Sequence, residues 1–199
     1  MTSDRSPLST DVSPAAPAPL RIRDATAADI AAIAGIYAFH VRHSLSTFEE
    51  VPPVPEEMAA RFAAVRALAL PYLVAERAGR VLGYAYASAY RPRPAYRFTV
   101  ENSVYLADGL GGQGIGSALL AALIARCEQG PWRQMIAVIG NSGNAASLAL
   151  HRRHGFRPVG TLTSVGFKLG RWVDTVLMAR PLGAGDGTLP QGAAGDALR

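Results

Sequence analysis

The stretch GLGGQGIGSALL, Gly109 to Leu120, joins an apolar run ending at Leu106 to another that begins at Ile115. A strand–glycine–helix junction of this kind aims backbone N–H groups and the positive end of a helix dipole at one point, which suits an anion. Glycine there lets the backbone approach oxygens that a Cβ would hold off. Two frames compete over these residues. Gly109-x-Gly111-x-x-Gly114 has dinucleotide-turn spacing, whereas Gly112-x-Gly114-Ile115-Gly116-Ser117 is a glycine loop feeding a helix. A Walker loop is excluded, because no Gly-Lys-Ser/Thr follows. The dinucleotide frame needs an acidic residue closing the next strand to hold a ribose. That strand, Gln134 to Ile139, ends in Gly140-Asn141, and Glu128 lies before it. Two helices and several strands also precede the loop, whereas a dinucleotide turn opens its domain. The second frame is preferred, and on this stretch alone a ligand-free turn stays open.

Outward from the loop, Arg97 to about Leu106 reads as a strand and Gly114 to about Glu128 as a helix. QMIAVI (Gln134 to Ile139) is a buried strand, Asn144 to His154 a short helix, and Gly155 stands where a helix C-terminal glycine belongs. Two last strands cover about Phe156 to Val165 and Trp172 to Arg180. Toward the N-terminus, Leu20 to Arg23 is a short strand, and Thr26-x-x-Asp29 resembles a capping box. Ile30, Ile33 and Tyr37 then mark a helix to about Phe39. The segment from His43 to Pro55 is a loop, and Met58, Phe62 and Val65 share one face of a helix from Glu56 to about Leu68. Tyr72 to Glu76 and Val81 to Tyr90 form a hairpin about Ala78-Gly79. Hairpins followed by a β-α-β-α-β run give an α+β domain, a mixed central sheet of about seven strands flanked by helices.

The folded unit is expected at 20–182, with a disordered Ser/Pro/Ala-rich leader at 1–19 and a flexible tail at 183–199. The leader lacks the apolar core of a signal peptide, and no run is long enough to span a bilayer. The net charge of +5 rests almost wholly on arginine, Lys168 being the only lysine. No basic stripe with interleaved aromatics appears, so neither nucleic acid nor membrane is expected as a partner. The single Cys127 excludes an internal disulfide and fits a cytoplasmic location. No His/Cys/carboxylate cluster has metal-ligand spacing, so no metal is expected.

A second motif fixes the reading of the loop. On a helix, Asn144, Ser147 and His151 fall along one face, while Arg152 and Arg153 read as a solvated face. The pair Gly112-x-Gly114-Ile115-Gly116-Ser117 and Asn144-x-x-Ser147-x-x-x-His151-x-x-x-Gly155-Phe156 resembles the two cofactor motifs of the GNAT N-acetyltransferase superfamily. TFEE, GYAYASAYRPRPAYRFTVENSVY and GFKLGRWVDTVLM resemble its phosphinothricin N-acetyltransferase-like branch, in order and over nearly all of 20–182. The resemblance implies that Gly111, Gly112, Gln113, Gly114, Ile115, Gly116 and Ser117 cup the pyrophosphate of acetyl-CoA. It further implies that Asn144 and Ser147 lie beside the pantetheine arm, and that the backbone of Val104, Tyr105 and Leu106 holds that arm like an added strand. Two departures stand out. Relatives usually carry Arg or Gln at position 111, and many carry His at position 102, where this chain has Asn102. Asp108 would repel a pyrophosphate if it faced inward, so it is expected to face solvent.

Acetyl transfer to an amine needs a neutral nucleophile, a polarised carbonyl and a proton for the departing thiolate. Strand alternation puts Glu101, Ser103 and Tyr105 on one face, and Asn102, Val104 and Leu106 on the other. A carboxyl in this apolar setting has a raised pKa, suited to deprotonating an ammonium; the alternative is a surface carboxylate. The resemblance implies that Glu101 is the general base and that His151 protonates the thiolate or orients the base. For the acceptor, a small amine of phosphinothricin or methionine-sulfoximine type, the expected contacts are Phe48, Arg91, Pro92, Arg93, Asn102 and Ser103, an arginine fork matching a carboxylate. Arg91 and Arg93 read otherwise as solubilising charges. His154 is expected as a cation at a helix C-terminus, and His40 and His43 carry no spacing signal. The rival readings are an acetyltransferase for a protein N-terminus or another small amine, and a non-catalytic acyl-CoA-binding module. A homodimer is implied by the resemblance alone.

Overall fold

A computed structural model describes residues 18–190; the expected leader up to residue 17 and the tail from residue 191 lie outside these residues. Seven strands, β1 (Arg21–Asp24), β2 (Tyr72–Arg77), β3 (Arg80–Ala89), β4 (Thr99–Leu106), β5 (Gln134–Gly140), β6 (Arg157–Lys168) and β7 (Arg171–Pro181), form one sheet. Four helices accompany them: α1 (Ile30–His43), α2 (Pro55–Ala67), α3 (Ile115–Glu128) and α4 (Ala145–Arg153). The strand order is β1-β2-β3-β4-β5-β7-β6. Only β4 and β5 run parallel, joined by α3; the other neighbours are antiparallel. The expected α+β domain with a mixed seven-stranded sheet is thus found.

Period-two alternation builds a core on each face. Leu73, Ala75, Ala85, Ala87 and Val100 pack with Ile115, Leu119, Leu120 and Leu123 of α3. Each large buried side chain of this set contributes roughly 1.5–3 kcal/mol relative to exposure. Tyr72, Val74 and Tyr84 point the other way, under α1 and α2. Tyrosines stack across the strands on that face, with centroids 4.9 Å apart for Tyr72–Tyr86 and 5.4 Å for Tyr84–Tyr105.

The start of α1 is pinned as the sequence pattern implies. Thr26 N–H donates to Asp29 Oδ2 at 2.8 Å, and Arg23 donates to both Asp29 oxygens at 2.7 and 2.8 Å. Arg23 holds the Asp29 carboxyl down at about 2. Several details differ from expectation. The first helix runs to His43 rather than Phe39, because Val41 is buried as well. Pro94–Tyr96 make a 3-10 turn inside the expected loop. The first part of the expected tail is tied down: the Arg133 side chain donates to Thr188 Oγ1 and the Leu189 carbonyl at 3.1 and 3.2 Å.

The loop between α1 and α2 lies across the ends of β5 and β6. Lys168, buried near the β6–β7 turn, donates from Nζ to the Thr47 carbonyl at 2.7 Å, and Thr47 Oγ1 pairs with the Tyr37 hydroxyl at 2.9 Å. Phe48 packs against Gly166, where any Cβ would overlap its ring.

Candidate active site

The site opens where β4 and β5 part. Their pairing covers Thr99 to Asn102 against Gln134 to Ala137 and then stops. Hydrogen bonds fix which way each β4 backbone faces. Ala107 N–H donates to Leu82 O, and Tyr90 N–H to Thr99 O, so odd-numbered residues pair with β3. Phe98 O accepts from Arg133 and Gln134 on the opposite side. Even-numbered residues therefore face β5, and past Asn102 the groups of Val104 and Leu106 face an opening. His40 Nε2 lies 2.8 Å from Leu106 O, which leaves Val104 N–H, Val104 C=O and Leu106 N–H as an open strand edge. The expected strand-like support thus narrows to Val104 and Leu106; Tyr105 turns its backbone to β3 and its ring to the tyrosine stack.

A cavity of about 590 Å³ follows this edge, bounded by β4, β5, α4 and the glycine loop. Gly112 and Gly114 hold φ of 77° and 78°, the left-handed region, so the chain can turn sharply into α3. A Cβ at Gly111, Gly112 or Gly114 would meet nothing within 4 Å, so the space before the loop suits a bulky anion. Ile115 and Gly116 are buried and Ser117 lines the cavity. Gln113 is exposed and does not line it. Asp108 is exposed, as expected, yet stands at the cavity rim.

From the other side, α4 presents Ser147 and His151. Asn144 is its N-cap, accepting from Ser147 N–H at 3.1 Å. His151 is buried, with Nδ1 2.8 Å from Ser147 O and Nε2 3.0 Å from Asn102 Oδ1; both neighbours are acceptors, so a neutral ring donates its one N–H to one of them. Burial pulls the imidazole below its ordinary range, against the opposing effect of the Ser147 carbonyl. Asn102 Nδ2 donates to Ile136 O at 2.9 Å, which fixes the amide and turns Oδ1 toward His151. Asn102, expected beside the acceptor, instead has its whole amide committed on the His151 face of β4. His154, expected as a cation, is held below its ordinary range by burial, then by Arg180 and Arg153, and its Nε2 lies 2.8 Å from Ser117 Oγ. The pair read as a solvated face divides: Arg153 lines the cavity and Arg152 does not.

Glu101 and Ser103 project to the α1–α2 face of β4, so Glu101 and His151 lie on opposite sides of the strand. Glu101 is half-buried, and burial alone raises its carboxyl above the usual range. Phe48 is 40% exposed beside Gly166. Arg91, Pro92 and Arg93 are exposed in the loop after β3 and do not line the cavity, the Arg91 guanidinium resting 5.2 Å from the Tyr90 ring centre. Sequence reasoning missed His40, Lys168 and Arg153. Continuing the Ile33-Tyr37 stripe by one turn reaches His40, whereas no local signal marks Lys168 or Arg153. Among the described residues no group of three metal-ligating side chains occurs, and no helix is long and apolar enough to cross a membrane.

Comparison with known proteins agrees with this architecture. The family described as Acetyltransferase (GNAT) domain matches residues 22–177. A phosphinothricin N-acetyltransferase of Alcaligenes faecalis is 64% identical over 163 residues, 82% of this chain and 83% of that protein. An L-methionine sulfoximine/L-methionine sulfone acetyltransferase of Pseudomonas paraeruginosa is 44% identical, covering 79% of this chain and 91% of the other. The crystal structure of a GNAT superfamily phosphinothricin acetyltransferase from Sinorhizobium meliloti, in complex with AcCoA, superposes with a TM-score of 0.85 at 48% identity, covering 87% of this chain and 94% of that one. With the parted strands, the glycine loop and these likenesses together, the chain belongs to the GNAT acetyltransferases, in their phosphinothricin N-acetyltransferase-like branch.

Proposed function

We propose that the protein transfers acetyl from acetyl-CoA to the primary amine of a small amino-acid-like acceptor, of the phosphinothricin or methionine-sulfoximine type. The observation that carries this reading is the open edge of Val104 and Leu106, which links the glycine loop to the level of Glu101. The coenzyme supplies the activated acetyl group. The amides of Gly112 to Ser117 face its pyrophosphate, and Val104 and Leu106 its amide-bearing arm. Glu101 takes the proton of the acceptor ammonium, directly or through a water, because burial has made it more basic than a surface carboxylate. The freed amine attacks the thioester carbonyl; the C–N bond forms, the C–S bond breaks, and the second proton lost by the nitrogen passes through water to the departing thiolate, which leaves as free coenzyme thiol. His151 serves by position: buried between Ser147 O and Asn102 Oδ1, it packs α4 against β4 at the head of the gap. Arg91 and Arg93 make no ion pair with any described residue and remain available for an acceptor carboxylate.

The reading includes a homodimer in the cytoplasm. β6 is an edge strand whose hairpin with β7 exposes Val165, Phe167 and Trp172, the last 67% exposed, and a second copy is its natural cover. Release of free thiol from acetyl-CoA over an acceptor panel tests the function. Phosphinothricin or methionine sulfoximine should exceed spermidine and a short peptide by about 100-fold in kcat/KM. Preference for the peptide or polyamine would shift the acceptor class, and coenzyme binding without thiol release would make the protein a binding module.

A further inference from the structure

Resting on the acetyl-CoA reading, we propose that Arg153 is the side-chain cation that holds a phosphate of the coenzyme in this protein. Apart from the Ser117 hydroxyl, which is paired with His154, the glycine loop itself offers only amides. Gly111, Gly112 and Gly114 have no side chain, Gln113 is uncharged and stands outside the cavity lining, and Asp108 sets a negative charge at the rim. Coenzyme A brings a pyrophosphate and a 3′-phosphate, so the loop alone leaves the anion without a balancing charge. Amides and a helix dipole carry partial charges only.

The missing charge comes from α4, whose last turn abuts the first turn of α3. A Cβ at Gly116 would touch Leu150 Cδ2 at 3.6 Å, and His154 Nε2 lies 2.8 Å from Ser117 Oγ. Arg153 follows Leu150 by three residues and adjoins His154, so it belongs to the side of α4 turned to this junction. It lines the cavity, is exposed, and forms no ion pair with a described residue. The other basic groups lining the cavity are already engaged. His40 is bonded to Leu106 O, and His151 is buried against Ser147 O and Asn102. Arg153 is the guanidinium that faces the cavity with its donors uncommitted, and a planar fork of N–H groups matches phosphate oxygens. It thus stands in for the charge absent at Gly111, delivered from the opposite wall.

Titration calorimetry with acetyl-CoA and with 3′-dephospho-CoA tests this on the wild type, Arg153→Ala, Arg153→Lys and Arg152→Ala. Arg153→Ala should weaken acetyl-CoA binding about tenfold at low salt and less at high salt. Turnover at saturating acetyl-CoA should stay within about twofold, so that KM alone rises. Arg153→Lys should fall between, because it keeps the charge without the fork, and Arg152→Ala should match the wild type. A loss that disappears with 3′-dephospho-CoA locates the contact at the 3′-phosphate, and a loss that persists locates it at the pyrophosphate; either upholds the contact. Unchanged affinity in Arg153→Ala, or an equal loss in Arg152→Ala, overturns it. Failure of the wild type to bind acetyl-CoA would defeat the underlying reading instead, and this inference with it.

Discussion

Glu101 and His151 were paired in the sequence as catalytic candidates, yet they face opposite sides of β4 and meet different environments. Burial acts on both in opposite senses, raising the acid and lowering the base, because it disfavours whichever form is charged. For Glu101 the consequence is kinetic. On the proposed reading its ionised form is the base, so kcat/KM should fall as pH drops through the raised carboxyl pKa, and a pH–rate profile should place that limb above the ordinary carboxylate range. For His151 the consequence is thermodynamic. Its folded pKa is depressed, so the stability it contributes is present above the unfolded value near 6.5 and is lost as pH falls. Melting curves from pH 7.5 downward should show Tm falling by roughly 3–5 °C per pKa unit of depression, and His151→Phe should flatten that part of the profile. An acid limb of kcat/KM that vanished with His151→Phe would return the proton-transfer role to the imidazole. At this scale the sequence disclosed which residues alternate on β4. It did not disclose the partners of Asn102 and His151, which come from β5 and from α4's own backbone.

Among the elements, the glycine loop was the most legible, because its chemistry is local: a strand end, left-handed glycines and a helix start. The structure separates glycines the loop requires from one it does not. Gly112 and Gly114 have positive φ, whereas Gly111 does not, and a Cβ there meets open space. Gly111→Arg should therefore fold normally and tighten acetyl-CoA several-fold, measured by calorimetry, whereas Gly114→Val should cost about 1–3 kcal/mol in urea unfolding. The loop between α1 and α2 was the least legible element. It is held by Lys168, from a hairpin 121 residues away, and by a ring seated on Gly166. Such long-range contacts leave no periodic trace in the chain. Lys168→Met should raise the acceptor KM about tenfold with coenzyme affinity unchanged, through a loosened Thr47–Phe48 turn. Equal rises in both would place the effect on the whole fold rather than this loop.

Across the whole molecule, the two faces of the sheet divide the labour. One packs against α3 and α4; the other, under α1 and α2, carries the tyrosine stack and Glu101, and the cavity at the β4–β5 gap is lined from both, His40 included. Alternation showed the two faces of β4, and all seven strands and four helices were readable to within a few residues. The pairing order was not, because β7 inserts between β5 and β6 and nothing local encodes it. The exposed apolar hairpin is where the proposed homodimer would meet. Trp172→Lys should convert a dimer to a monomer in sedimentation velocity if the hairpin is the interface, and an unchanged oligomeric state would exclude that face. Retaining a half-buried carboxylate also costs stability, since a raised folded pKa gives stability that is lost as pH rises through it. The measurement that tests the account most directly joins function to that cost in one variant, Glu101→Gln. The account predicts acetyl-CoA affinity within about twofold of wild type, turnover with phosphinothricin reduced by 100-fold or more, and a Tm at pH 7.5 equal to or above the wild-type value. Wild-type turnover in a well-folded Glu101→Gln enzyme would contradict it.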